Sequence, residues 1–355
     1  MEECFERAGH AVGRQPRASR PNPLCAALDL GTNNCRLLVA RPTRQGFQVV
    51  DAFSRIIRLG EGLSSTGALS EAAIERALEA LAICAAKLRR RGVTRLRAVA
   101  TEACRRASNG PFFLERVLHH TGLRLEVITA REEAALTLSG CAPLLNPKLR
   151  HALVFDIGGG STEVSHLRVL PSHEGGCRLS PLAFASLPYG VVTLVEQFGE
   201  AASTREGYRE IVAETARALD RAFDPELLRQ ELAGGQVQML GSSGTVTTLT
   251  GLHLRLPRYD RRRVDGAFLT RATVDQVVES ILAMSPLERA SHPCIGPQRA
   301  EFVVSGCAIL AALCVRFPVP RLRVADRGVR EGILLSLMRR PGTPLPIEVA
   351  EMAGA

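Results

Sequence analysis

The sequence predicts an α/β protein made of two related halves. Three observations carry that reading. Strand-like and helix-like periods alternate along the chain. An Asp-Gly hairpin appears twice, with Leu28-Asp29-Leu30-Gly31 standing against Phe155-Asp156-Ile157-Gly158 at an offset of 127 residues. And 355 residues suit two domains of ordinary size better than one.

The first half opens with the apolar run 24–30 and a second run, Cys35 to Ala40. The turn between them, Gly31-Thr32-Asn33-Asn34, makes the pair a β-hairpin. A third strand starts at Gln45-Gly46 and runs to about Ala52. Ser70 is an N-cap with Glu71 in the first turn. Ile74, Leu78, Leu81, Ala85 and Leu88 follow at helical spacing until Gly92. A strand at 95–101, a helix opened by Pro111 and a strand at 124–129 complete the order βββαβαβ. The second half repeats the hairpin with strands at 151–157 and 162–169. Helices near 190–199 and 203–222 follow, then a strand at 236–240, the turn Gly241-Ser242-Ser243-Gly244 and a helix from Thr245 to His253. A basic loop spans 254–264. Helices near 272–284 and 297–316, a strand at 321–325 and a last helix ending at Arg339-Arg340-Pro341 close the pattern.

Composition excludes several classes. With 46% hydrophobic and 23% charged residues, the chain is neither disordered nor fibrous. No run of about 18 apolar residues predicts a transmembrane helix. Residues 1–23 lack an apolar signal core and are expected to form a mobile tail, which places the protein in the cytoplasm by default. The net charge of +9 fits a polyanionic partner, and nearly all of the 45 basic residues are arginines, whose planar fork suits phosphate. A genome rich in arginine codons would give the same excess. Absence of Trp and only 4% aromatic residues argue against a platform for single-stranded nucleic acid. None of the ten cysteines falls in a Cys-x-x-Cys spacing, so they are expected to be reduced core residues.

Three turns could bind anions. In 29–36, Gly31, Thr32, Asn33 and Asn34 form a turn whose N–H groups can gather on one side, with Asp29 before it and Arg36 after it. In 156–163, three glycines, Gly158, Gly159 and Gly160, leave a strand directly after Asp156 and lead to Ser161, Thr162 and Glu163. Glycine lets phosphate approach the main chain. The third turn ends at Gly244 and Thr245, where a helix start offers free N–H groups. Glu132 and Glu133 sit where strand becomes helix, and first-turn glutamates there also simply complement the helix dipole.

With these residues in hand, the chain resembles the exopolyphosphatase/guanosine pentaphosphate phosphohydrolase family. The matching stretches are DLGTNNCRLLV (29–39), RLGEGL (58–63), ATEACR (100–105), REEAAL (131–136), DIGGGSTE (156–163), LPYGVVTL (187–194), GSSGTVTTLTGL (241–252) and VADRGVREGI (324–333). The resemblance implies two ribonuclease-H-like domains of the actin/sugar-kinase/Hsp70 type, about 24–147 and 148–340, around an interdomain cleft. The last helix, about 327–340, would pack back on the first domain, and 341–355 would be a short tail. It implies a cytoplasmic, Mg²⁺-dependent (or other divalent cation) hydrolase of inorganic polyphosphate, with guanosine pentaphosphate or tetraphosphate as further ligands and a homodimeric assembly. Glu133 would be the base, assisted by Asp156 and Glu163. Asp156, Asp29 and Glu163 would hold the metal. Arg105 would contact phosphate together with the residues of the turns. Three departures bear on substrate preference: Glu102 stands where the family has a small hydroxyl residue, Arg106 where an acidic one is common, and Ala130 where a Gly is usual. Longer relatives append an HD-type helical domain; with no His-Asp dipeptide, this chain resembles the short form. An ATP-dependent kinase of the same superfamily and a non-catalytic guanosine tetraphosphate or polyphosphate sensor are the rival readings.

Overall fold

The computed structural model describes residues 23–44, 46–171, 177–223, 228–339 and 346–347. The expected tails at 1–23 and 341–355, and Cys4, lie almost wholly outside the described residues. The first sheet has five strands in the order β3-β2-β1-β4-β5. They are β1 (Cys25–Leu30), β2 (Asn34–Thr43), β3 (Gly46–Ile56), β4 (Arg95–Ala100) and β5 (Glu126–Val127). β1 to β3 form an antiparallel meander, and β4 and β5 extend it in parallel. The central strand β1 is covered on both faces, which is why it reads as an unbroken apolar run.

The second sheet has six strands in the order β10-β11-β9-β6-β7-β8. They are β6 (His151–Ile157), β7 (Thr162–Pro171), β8 (Cys177–Leu187), β9 (Val237–Ser243), β10 (Phe268–Thr270) and β11 (Arg321–Ala325). β6 to β8 repeat the meander, and β9 and β11 repeat the parallel extension. Two sheets with the same winding establish two ribonuclease-H-like domains, as the sequence predicts.

The repeat is kept residue by residue at the offset of 127. Asp29 pairs opposite Arg36 as Asp156 pairs opposite Glu163. Gly31 N–H donates to the Asn34 carbonyl and Gly158 N–H to the Ser161 carbonyl, both at 2.9 Å. Even the β-bulges coincide, at Val39/Ala40 and at His166/Leu167. A bulge twists its strand and re-aims the residues beyond it, so both hairpins deliver their turns to the cleft in the same way.

Local sequence signals place the helices. Ser70 Oγ accepts the N–H of Ala73 to cap the helix Glu71–Arg91, and Gly92, at φ 62°, closes it. The first domain's core lies between that helix and its sheet, around Leu28, Ile74, Leu81 and Phe113. The second core gathers Phe155, Leu249, Ile309 and Leu310. The last helix, Val329–Met338, packs Ile333 and Leu334 against Cys25, Ala27 and Leu38 of the first sheet. It crosses the helix Ala130–Cys141 at backbone contact: a Cβ on Gly332 would lie 2.0 Å from the Leu136 carbonyl, and one on Gly140 2.3 Å from that of Gly328.

Several expectations are corrected. Strand β8 is absent from the sequence reading because Pro181 interrupts its run; it is an edge strand, where proline is tolerated. β3 runs on to Ile56, the strand expected at 124–129 shrinks to two residues, and the helix expected from 297 starts at Val303. A short helix, Glu102–Arg106, and the three-residue β10 are additional. The nine described cysteines are free; all are buried except Cys177, which is half-buried.

Candidate active site

Both Asp-Gly turns end at one cleft, which opens to solvent. Asp29, Gly31, Thr32, Asn33, Asn34 and Arg36 line it from the first domain. Asp156, Gly158, Gly159, Gly160 and Ser161 line it from the second, with Gly244 and Thr245 from the third turn. The two main turns touch: a Cβ on Gly159 would stand 3.2 Å from the Cβ of Thr32 and of Asn33. Their carbonyls are held from behind. Gly60 N–H donates to the Thr32 carbonyl and Ile57 N–H to that of Asn33, while Val191 and Val192 donate to Gly158 and Gly159, all between 2.8 and 3.0 Å. Apart from Gly31 and Gly158, whose N–H groups bond within their turns, that leaves the turns' own N–H groups as the donors a ligand would meet.

The start of the helix Ala130–Cys141 decides between the two glutamates. Thr129 Oγ1 accepts the Glu132 N–H at 3.1 Å and fixes the first turn. Consecutive helical residues point about 100° apart. Glu132 therefore turns away to Arg97, while Glu133 faces the cleft. Behind the cleft, Glu133, Asp156 and Glu163 line one small recess. Burial, with the Glu163 charge adding to it, raises the Glu133 carboxyl well above its ordinary range; Arg105 pulls the other way. Asp156 is pushed up to about 8, mainly by burial and then by Glu163. Asp29 is raised by burial against the pull of Arg36 and Arg330. Glu163 is raised by burial, though Ser161 and Ser186 hydroxyls donate to its Oε1 at 2.7 and 2.9 Å. Carboxylates displaced toward neutrality in a cleft are the groups general-base chemistry uses.

Some predicted residues stand elsewhere. Arg105 does not line the cleft, because its fork is taken up: Nη1 donates to Glu133 Oε2 (3.0 Å) and to the Ile128 carbonyl (2.7 Å), and Nη2 to Glu102 Oε2 (2.7 Å). It holds the carboxylates of Glu102 and Glu133 in place. Thr162 is fully buried and its hydroxyl donates to the Tyr189 carbonyl at 2.6 Å. In the third turn, Ser243 Oγ accepts the N–H groups of Thr245 and Val246, so that helix end offers fewer free donors than its sequence suggests. Glu163 faces the recess and its serines, not the open cleft.

The sequence reading missed Arg299, which lines the cleft half-buried, donates to Thr248 Oγ1 at 3.2 Å and has no carboxylate partner among the described residues. No local signal marks it, because the helix expected from 297 starts only at Val303 and Arg299 precedes it. Arg36 also reaches the cleft with no ion pair among the described residues. Glu102, noted only as a departure, lines the wall beside Gly160.

The donor set fits a hydrated divalent cation. Among the described residues no three acidic, His or Cys side chains form a ready-made cage, and neither Asp29 nor Asp156 accepts a hydrogen bond. Buried Asn33 Oδ1 has no partner either. Two free carboxylates beside anion-binding turns suit Mg²⁺, which keeps several waters and takes one or two carboxylates plus phosphate oxygens.

A profile of the Ppx/GppA phosphatase family matches residues 38–341. The chain is 30% identical to the Aquifex aeolicus member of that family in its crystal structure, over 88% of this chain and 97% of that one, with a TM-score of 0.72. It is 29% identical to an exopolyphosphatase-like protein over 89% and 99%, at a TM-score of 0.76. It shares the fold of an exopolyphosphatase from Cytophaga hutchinsonii at 22% identity, over 89% and 97%, at a TM-score of 0.77. Among the described residues no helix is long and apolar enough to cross a membrane.

Proposed function

The chain belongs to the Ppx/GppA phosphatase family, and on that premise we propose that it is an exopolyphosphatase, releasing orthophosphate from the end of inorganic polyphosphate. The observation that carries the reading is the meeting of two Asp-Gly turns beside a cleft-facing glutamate, Glu133. A phosphoanhydride carries dense negative charge, and hydrolysis needs that charge neutralised and a water aligned. The N–H groups of Gly159 to Ser161 and of Thr32 to Asn34 receive phosphate oxygens from the two domains, those of Gly31 and Gly158 being bonded within their turns. Arg36 and Arg299 supply positive charge that no carboxylate among the described residues takes up. Glu133, raised by burial and fixed by Arg105, takes the proton of the attacking water at its carboxylate. Asp29 and Asp156 would hold Mg²⁺, which when bound neutralises phosphate charge. Guanosine pentaphosphate ends in the same phosphoanhydride and is the second substrate of this reading. Orthophosphate release from long-chain polyphosphate should need a divalent cation and stop on chelation; no release with any divalent metal overturns the assignment. A kinase would instead consume ATP only when a small acceptor is added.

A further inference from the structure

The six residues Arg58 to Leu63 match a family stretch that the chemistry above leaves unused. Each has a distinct place in the structure. Leu59 and Leu63 are buried in the first core. Gly60 lies where a Cβ would stand 2.3 Å from Thr32 Cγ2, and its N–H holds the Thr32 carbonyl. Glu61 pairs with Arg76 at 2.6 Å. Gly62, at φ 77°, sends its N–H across to Glu196 Oε1 of the second domain at 2.7 Å. Arg58 has a left-handed backbone, φ 48°, unusual for a side-chain-bearing residue and costly unless the surroundings enforce it. Its N–H donates to the Asn33 carbonyl at 3.2 Å, while its side chain crosses to the second domain. There Nη2 meets Glu301 Oε1 at 2.6 Å and the guanidinium lies 5.6 Å from the Phe302 ring centre. Phe302 and Arg299, on the same segment, line the cleft.

We propose that Arg58 is a positioning residue that ties the phosphate turn of the first domain to the opposite wall, holding Arg299 and Phe302 at closing distance from it through Glu301. This rests on the cleft being the phosphate site proposed above. The strained backbone turns the side chain outward from a segment whose main chain already grips the turn, so one residue couples both walls.

The pair is partly exposed, so its effect is modest, about fivefold, the scale of a surface ion pair joined to a cation–π contact. Arg58→Ala and Glu301→Gln should each raise KM for tripolyphosphate by about that factor with kcat within about twofold. They should weaken tripolyphosphate binding by the same factor in calorimetry. The swapped pair Arg58→Glu with Glu301→Arg should recover most of the loss. Unchanged KM, a fall in kcat alone, or a swap no better than the single variants overturns the proposal. If Arg58→Ala fails to fold, Glu301→Gln and the swap still decide. If the parent binds tripolyphosphate but releases no orthophosphate from polyphosphate of any length, the exopolyphosphatase assignment fails while calorimetry still reads the coupling.

Discussion

At Glu133, burial and catalysis pull on one carboxylate. Its proton is held well above the ordinary carboxylate range, so the form that accepts a proton from water predominates only above that raised value. Activity should therefore fall on acidification from a point nearer neutrality than an exposed glutamate would give. Glu133→Gln keeps the shape and loses the basicity, and kcat should drop on the order of 10²–10⁴-fold. Tripolyphosphate affinity should hold, because the turns and Arg36 are untouched; near-normal turnover would exclude Glu133 as the base. Stability carries the same sign. A carboxyl whose folded-state value is raised favours folding below its unfolded value and loses that contribution as pH rises. The urea midpoint of the variant, relative to the parent, should thus increase as pH rises above about 4, and a constant difference would place Glu133 in water. None of this was legible from the dipeptide Glu132-Glu133, since only the cap at Thr129 fixes which one faces inward.

Hairpins and helix starts show where the sequence is readable and where it stops. Gly190 has an ordinary extended backbone, φ −120°, so alanine costs nothing there by conformation. Its cost is purely one of space: a Cβ would stand 2.3 Å from the Gly159 carbonyl carbon, and backbone cannot step aside like a side chain. Gly190→Ala should displace the glycine turn and lower kcat/KM about 10²-fold, the scale of a roughly 1 Å misplacement; an unchanged value would mean the turn tolerates movement. Strands β6 and β7 carry another test. His151 Nδ1 and His166 Nε2 lie 3.0 Å apart in the interior, and burial, then His151, lower His166 to about 4. A histidine lowered in the folded state favours folding above its unfolded value of about 6.5 and loses that as pH falls toward about 4, on the order of 3 kcal/mol. Urea midpoints between about pH 7 and pH 4.5 should fall steeply in the parent and less so in His166→Gln. Equal slopes would clear the pair. The Asp-Gly hairpins were readable because a strand, a glycine and a second strand are contiguous in sequence. Arg299 and β8 were not. Arg299 gains its meaning from a wall folded to it from 263 residues away, counting from Arg36, and β8 hides behind Pro181, whose acceptability depends on the edge it occupies.

Across the whole molecule, charge is distributed unevenly between structure and surface. Arg261 donates to the Asp326 carbonyl and pairs with buried Glu331, so it is part of the frame. Arg255, Arg258, Arg262 and Arg263 in the same basic region are exposed. Exposed charge is screened within about 10 Å at 0.1 M salt, while buried contacts are screened less. Changing these four to Gln should raise KM for long polyphosphate and leave tripolyphosphate within about twofold, as added salt should also do. If long and short substrates respond alike, the loop is a solvated face. The repeat at 127 residues has a last consequence, one of polarity. Two halves wound alike repeat the backbone but not the charge: at the matched position one carries Arg36, which lines the cleft, and the other Glu163, which is turned into the recess behind it. The repeat is thus broken in sign. On the proposed reading, a polyphosphate chain, alike at its two ends, enters a cleft in which Arg36 and the base Glu133 both belong to the first half. A chain end already differs from every internal phosphate, with one bridging oxygen instead of two and an extra ionisable oxygen, and a cleft uneven in charge can tell which phosphate is last.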